Sequence, residues 1–212
     1  MEPKLVLDPL DVESHLFAMG LDKAGLITAV RYAESERALC TSFDPVGFGN
    51  MVAYARCGRK LRENYIRRGK DWELDNSHNQ VAIKNPKTKI RVIPCNFDEG
   101  AGDKFVIPSN KSPKGEVSRQ KSMCNRTSWI PGLIEKGLPV DVDGYRTWVL
   151  GMNIVDDRPP RAELSMPIDF DGQYFSNFAT RIFFLDGKDL PAIATKKTDD
   201  TFEVIDIKIR RK

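Results

Sequence analysis

Apolar residues near the start of the chain recur at the spacing of an amphipathic helix. Val12, Leu16 and Met19 lie four and three residues apart, so they share one face of a helix. Asp8, followed by proline, is a suitable N-cap for this helix, and Gly20 is a typical stop signal. The pattern therefore predicts a first helix between these two residues, with one face packed on a core.

Two further helices are predicted before residue 70. The second runs from a cap at Asp22 to about Cys40, although residues 26–32 are also compatible with a strand. The third begins at the N-cap Asn50, ends at Gly69 and has the clearest period in the chain. Its predicted buried positions repeat every three or four residues: Met51, Tyr54, Gly58, Leu61 and Tyr65.

From Trp72 onward the pattern changes to that of β-structure. Two short apolar stretches, residues 81–83 and 90–92, flank a proline-containing turn at residues 85–88 and predict a hairpin. Residues 96–128 are predicted as a long polar connection. Connections of that length are uncommon inside compact domains, where they tend to be functional or disordered.

The last third continues as strands joined by hairpin turns. Strands are predicted over residues 148–155, 162–170 and 181–185, with Asp-Gly dipeptides at residues 171–172 and 186–187 as turns. A final strand with one charged face is predicted from the alternation of Ile205, Asp206, Ile207, Lys208 and Ile209.

The order of these elements, helices first and strands afterwards, indicates an α+β protein. We expect the N-terminal helices to pack on one face of a mostly antiparallel sheet. The 212 residues are compatible with a single domain. Its helical part would cover about residues 8–69 and its β-rich part about residues 72–212, and a division into two domains near residue 70 is the alternative.

Charge is distributed unevenly, although the formal net charge is only +3. Residues 51–126 contain 17 basic and 8 acidic side chains, a net charge of +9. The flanking segments, residues 1–50 and 127–212, have net charges of −4 and −2. If the protein binds an anionic partner, we therefore expect the basic middle segment to contact it.

Several classes of protein are excluded or disfavoured. No apolar stretch approaches the roughly 18 residues of a membrane span, and the N-terminus lacks the apolar region of a secretory signal. We therefore expect a cytoplasmic protein without membrane contact. Because no C-x-x-C pair occurs and only two histidines are present, we expect no metal, no cofactor and reduced thiols at Cys40, Cys57, Cys95 and Cys124.

The basic face of the third predicted helix is the main candidate for binding. Its cations suit phosphate or another anion, and nearby tyrosines can stack on bases. The alternative is a solvated helix face that the acidic N-terminal segment neutralises. The candidate residues are Arg56, Arg59, Lys60, Arg62, Arg67, Arg68 and Lys70.

Two shorter features add to this candidate. The polar connection contributes Lys114, Arg119 and Lys121 among small polar residues, a composition that suits phosphate, unless the segment is an ordinary solvated loop. The turn Gly47-Phe48-Gly49 directly precedes the third helix and could bring an anion to the helix N-terminus. Without a third glycine it is better explained as a turn that starts the helix.

Polar residues also cluster at the open end of the predicted hairpin. There the first strand begins and the second ends, so His78 would lie near Asn96 and Asp98. A histidine beside a carboxylate can act as a general base, which makes His78 and Asp98 candidate catalytic groups. Polar loops also contain such residues without any chemistry. The predicted pocket comprises Asp75, His78, Asn79, Gln80, Arg91 and Asn96.

Three functions follow from these features. The first is a non-catalytic binding protein whose basic middle segment engages nucleic acid, a phosphorylated ligand or an acidic protein surface. The second is a hydrolase or nuclease that uses Asp75, His78, Asn96 and Asp98. The third is a protein inhibitor or assembly subunit that presents an aromatic patch of Trp129, Trp148 and Phe175, although buried aromatics are the commoner explanation for such residues. The sequence does not indicate the oligomeric state.

Overall fold

The computed structural model describes residues 2–67, 71–129 and 144–188. In these residues the helices are α1 Pro9–Ala18, α2 Lys23–Arg37, α3 Phe48–Ile66 and α4 Glu116–Trp129. The strands are β1 Lys4–Val6, β2 Glu73–Asp75, β3 Ala82–Asn85, β4 Ile90–Asn96, β5 Arg146–Asn153, β6 Arg161–Asp171 and β7 Tyr174–Leu185. None of the described helices is both long and apolar enough to cross a membrane. The final strand predicted near residues 205–209 lies outside the described residues.

The strands form one mixed sheet in the order β1-β7-β6-β5-β4-β3-β2. Four neighbouring pairs are antiparallel, whereas β1 with β7 and β4 with β5 are parallel. The predicted hairpin is confirmed as β3 and β4, and the Asp171-Gly172 turn joins β6 to β7. The predicted α+β class is therefore confirmed, with helices mostly N-terminal and strands mostly C-terminal.

Two of the three N-terminal helices begin at the predicted caps. The side chains of Asp8 and Asp22 accept hydrogen bonds from backbone N–H groups in the first turns of α1 and α2. The predicted cap at Asn50 is wrong, because α3 begins two residues earlier. Gly47, in the left-handed conformation with φ of 83°, precedes that helix.

The first turn of α3 extends beyond the apolar core. Gly58, Leu61 and Tyr65 are buried as predicted, but Met51 is 60% exposed. At this end of the helix α3 meets a polar side chain, since the amide of Asn96 donates a 2.7 Å hydrogen bond to the carbonyl oxygen of Asn50. The predicted buried positions of α3 therefore begin one turn before the part of the helix that packs on the core.

Two apolar clusters occupy opposite faces of the sheet. Leu150 belongs to the cluster that α1, α2 and α3 cover, and its neighbour Val149 belongs to the other. This alternation follows from the two-residue period of a strand. The second cluster contains the aromatic rings of Phe97, Phe175 and Phe178, whose centroids lie 5.9–6.2 Å apart.

The polar connection predicted over residues 96–128 is wrong in its second half, which forms α4. The helix was missed because its buried positions are polar and leave no apolar stripe. The side-chain amide of Asn125 donates to the carbonyl oxygens of Thr147 and Pro167 at 2.7 and 2.8 Å, and its oxygen accepts from the Thr147 N–H at 2.9 Å. The buried polar positions follow a helical period: Ser118, Lys121, Ser122 and Asn125.

A buried ion pair holds the chain that follows β4 against the sheet. Glu163 on β6 and Arg181 on β7 are both almost fully buried and make two contacts, of 2.8 and 2.6 Å. The guanidinium also donates to three backbone carbonyl oxygens, and Glu163 accepts from the N–H of Gly102 at 2.9 Å. A buried charge pair is tolerated when such hydrogen bonds satisfy its remaining donors and acceptors. The three carbonyl groups belong to Gly100, Asp103 and Val106.

We predict that Arg181→Met lowers the free energy of unfolding by about 3–5 kcal/mol, because the substitution leaves Glu163 charged, buried and unpaired. Urea denaturation at neutral pH measures the change. The matched control is Arg158→Met, since Arg158 is 69% exposed and lies 3.9 Å from Glu99. We expect the control to change the free energy by less than about 0.5 kcal/mol. Equal effects of the two substitutions would contradict the proposed role of the buried pair.

Candidate functional site

The basic face of α3 is engaged in ion pairs within the fold. Arg56 lies 2.8 Å from Glu36 of α2, and Arg59 and Lys60 lie 3.0 and 3.6 Å from Glu63. The hydrogen bond with Glu63 raises the pKa of Arg59, and the same bond lowers the pKa of Glu63. Acidic side chains of the fold thus offset much of the positive charge that α3 could offer to a partner.

Arg62 holds α3 to the edge of the sheet. Its guanidinium donates to the carbonyl oxygens of Ala82 and Asp75 at 3.3 and 3.0 Å, and to the side-chain oxygen of Asn76 at 2.6 Å. This candidate binding residue therefore has a role in the fold. Arg67, another predicted cation, is exposed just after the last turn of the helix. The predicted cations Arg68 and Lys70 lie outside the described residues.

The three cations predicted in the connection have separate partners. Arg119 makes a bidentate pair with Glu116 at 2.7 and 2.6 Å on an exposed part of α4. Lys121 is buried and donates to Gln80 at 2.7 Å. The ammonium of Lys114 lies 5.8 Å from the centroid of the Tyr54 ring. Arg119 is therefore exposed, Lys121 is buried and Lys114 is half-buried, and the three cations contact different residues.

Asp75 and Arg91, both predicted for the hairpin pocket, form a buried ion pair with an N–O distance of 2.5 Å. Asp75 also accepts a 2.9 Å hydrogen bond from the N–H of Ser77. Burial alone would raise the pKa of Asp75, but the hydrogen bonds from Ser77 and the contact with Arg91 outweigh it and lower the pKa to about 2. Both oxygens of this carboxylate are therefore engaged inside the fold.

The other predicted pocket residues join neighbouring segments. Gln80 donates to Ser118 of α4 at 2.9 Å, and Asn96 contacts α3 as described above. Asp98 accepts a 3.0 Å hydrogen bond from the N–H of Gly100 within a turn. Asn79 is exposed and has a left-handed backbone, with φ of 57°. The side chain of His78 lies outside the described residues, so its pairing with Asp98 stays a prediction.

Two of the three residues predicted for an aromatic contact patch are buried. Trp148 is 8% exposed and Phe175 is 3% exposed, and they belong to the two clusters on opposite faces of the sheet. For these two rings the alternative explanation, burial in the core, is therefore confirmed. The third residue, Trp129, has a side chain outside the described residues.

A set of exposed apolar side chains extends from the connection after α2 into the first turn of α3. Leu39 is 76% exposed, Phe43 is 98% exposed, Val46 is fully exposed and Met51 is largely exposed. We call these four residues the helix-junction ridge. Single exposed apolar residues are common, but several along one short segment are typical of an interaction site. In the sequence Met51 was assigned to the buried positions of the third helix, and no pattern marked the other three residues.

Arg37 stands beside this ridge, at the end of α2. It donates to the side chain of Asn50 at 3.2 Å and to Asp156 at 3.4 Å. One guanidinium nitrogen lies 2.6 Å from the point that a Cβ on Gly49 would occupy, so the absence of a side chain at Gly49 lets Arg37 reach the first turn of α3. The Nε group of Arg37 is buried, and no group in the described part of the chain accepts its hydrogen bond.

Lys111 is the second cation of this region. Its backbone N–H donates to the carbonyl oxygen of Asn96 at 2.9 Å, which fixes the residue beside the end of β4. Burial lowers the pKa of Lys111, and the nearby charge of Arg37 lowers it further, while Asp98 and Glu99 act in the opposite sense. Arg37 and Lys111 thus lie near each other in half-buried positions, and the carboxylates of Asp156, Asp98 and Glu99 are their acidic neighbours.

Comparison with protein-family models, with curated proteins and with solved structures finds no match to this chain. In residues 2–67, 71–129 and 144–188, no group of three or more His, Cys, Asp or Glu side chains could hold a metal ion.

We predict that Arg62→Gln lowers the free energy of unfolding by about 2 kcal/mol, because two backbone carbonyl groups lose a charged donor. Arg59→Gln removes the same charge from the same helix, but it affects only an exposed ion pair. We expect it to leave the urea denaturation midpoint unchanged. If Arg62→Gln were equally neutral, the assignment of Arg62 to the fold would be wrong.

The low pKa of Asp75 predicts a specific loss of stability in acid. A carboxylate whose pKa falls from 3.8 in the unfolded chain to about 2 in the fold stabilises the fold fully above the unfolded value. This contribution is lost as the pH falls toward 2. The difference in unfolding free energy between the natural protein and Asp75→Asn should therefore shrink below about pH 4. A difference that stays constant down to pH 2.5, measured by urea denaturation, would contradict this account.

Proposed function

We propose that this chain is a non-catalytic binding protein and that its partner is an acidic protein surface. The observation that carries the proposal is the helix-junction ridge, four exposed apolar side chains beside the cations Arg37 and Lys111. Protein interfaces combine an apolar centre with a charged rim, and this surface has both parts.

The same surface favours a protein over a nucleic acid. An aliphatic side chain such as Val46 is covered better by the apolar side chains of a protein than by a phosphate backbone, although the ring of Phe43 can also stack on a base. The cations that would suit a nucleic acid, Arg56 and Arg59 on α3, are paired with glutamates and have no exposed apolar ridge beside them, whereas Arg37, which is paired with Asp156, has one. Binding of a nucleic acid or of a small phosphorylated ligand at this surface is therefore the alternative outcome of the binding experiment.

Binding is also better supported than hydrolysis. A general acid or base must be free to reach its substrate. Asp75 is buried in an ion pair with Arg91, and Asp98 accepts a hydrogen bond from its own turn.

We further propose a cytoplasmic location. The four cysteines are free thiols, which supports a reducing compartment, and burial raises the pKa of Cys57 to about 12.

The test uses a fluorescent peptide of about fourteen residues built from Leu, Phe, Glu and Asp, and its anisotropy on titration with the full chain. We predict binding that weakens with salt and that Lys111→Gln reduces about tenfold, because a charge-assisted contact of about 1.4 kcal/mol is lost. The matched control is Lys104→Gln, an exposed lysine of the same connection whose ammonium lies 4.9 Å from the Phe105 ring. It should bind as the natural protein does.

A second peptide, in which Gln and Asn replace the acids, separates charge from apolar contact and should bind more weakly. Equal binding of the two peptides would contradict the acidic character of the partner. Binding of a DNA oligonucleotide or of inorganic phosphate in place of the acidic peptide, with the same sensitivity to Lys111→Gln, would replace the proposed partner by that ligand.

A further inference from the structure

The outer face of α1 is a second exposed apolar surface. Leu10 is 75% exposed and Phe17 is 84% exposed, and they lie seven residues apart on the side of the helix opposite Val12 and Leu16, which are buried. Glu13 lies between them on this outer face and is exposed. Thus α1 presents apolar residues to the core and a second apolar stripe to the outside.

The charge of this outer face is acidic. Asp8, Asp11 and Glu13 are all exposed on the helix or at its cap, and the nearby basic groups, Lys4 and His15, lie 3.3 Å from each other. The α1 face thus has the composition that the proposed function requires of a partner, with apolar side chains flanked by carboxylates. Its charge is opposite to that of Arg37 and Lys111 beside the helix-junction ridge.

One molecule does not bring these two surfaces together. Both Phe17 and Phe43 are exposed within the single chain. The α1 helix ends just before α2, and the ridge begins just after α2, whose 15 residues span roughly 22 Å. A contact between the two surfaces therefore requires a second molecule.

We infer that two copies of this chain associate, with the outer face of α1 of one copy on the helix-junction ridge of the other. The inference rests on the proposed function, since it names the source of the acidic protein surface. In such a pair Leu10 and Phe17 cover the apolar ridge, and the carboxylate of Glu13, which flanks Phe17 on the outer face of α1, faces Arg37 and Lys111. The contact joins two different surfaces, so it closes into a ring or continues as a chain of molecules.

Sedimentation velocity of the full chain between about 1 and 200 µM tests this contact. We expect the average mass to rise with concentration. Phe17→Ser removes one surface and Phe43→Ser the other, and each should weaken association at least about tenfold. Phe105→Ser, at a ring that is 86% exposed on another segment, is the matched control and should associate as the natural chain does.

Mixing the two weakened variants provides the decisive result. The Phe43→Ser chain keeps an intact α1 face and the Phe17→Ser chain keeps an intact ridge, so the mixture should form a heterodimer that neither variant forms alone.

A monomer at every concentration, an equal effect of Phe105→Ser, or no association in the mixture would overturn the inference. Binding of the acidic peptide by a monomeric chain would overturn the inference and leave the proposed function standing, whereas the absence of both peptide binding and self-association would remove both.

Discussion

The buried pair of Glu163 and Arg181 is the interaction on which the rest of this structure depends. Two opposite charges lie between the sheet and the segment above it, and burial of each is tolerated only with a complete set of hydrogen bonds. The sheet supplies the pair itself, and residues 100–106 supply three carbonyl groups and an N–H. The chain after β4 must therefore return across the sheet. This path also places the Phe97 ring against Gly151, where any side chain would overlap it.

The candidate site follows from that path. The returning chain brings the backbone of Lys111 to the end of β4, where Asn96 also contacts the first turn of α3, and Arg37 reaches the same turn from α2. Elsewhere much of the basic charge of the middle segment serves the fold. Arg62 and Arg91 hold strands and helices together, so the net charge of +9 in residues 51–126 overstates what a partner would meet. The exposed apolar side chains of the helix-junction ridge distinguish this surface from the α3 face, since cations on both surfaces have acidic neighbours.

The features that could be predicted are those set by local sequence. The caps of α1 and α2 and the turn between β3 and β4 depend on neighbouring residues, and the structure confirms them. The helix α4 could not be recognised because it packs through serines, a lysine and an asparagine, for which hydrophobic period gives no signal. Arg91 was assigned to a ligand pocket, and its buried ion pair with Asp75 was missed because no local pattern reports a contact between separate strands. The ridge was missed because Met51 was assigned to a buried position and no pattern marked its other three residues.

Amide hydrogen exchange in Glu163→Gln tests most directly whether the buried pair positions the site. The amide of Gly102 donates to Glu163, and the amide of Lys111 donates to Asn96 on the far side of the same segment. If the pair fixes this segment, the substitution accelerates the exchange of both amides together and leaves that of the buried Leu61 in α3 unchanged. Faster exchange at Gly102 alone, with Lys111 as protected as in the natural chain, would contradict the account.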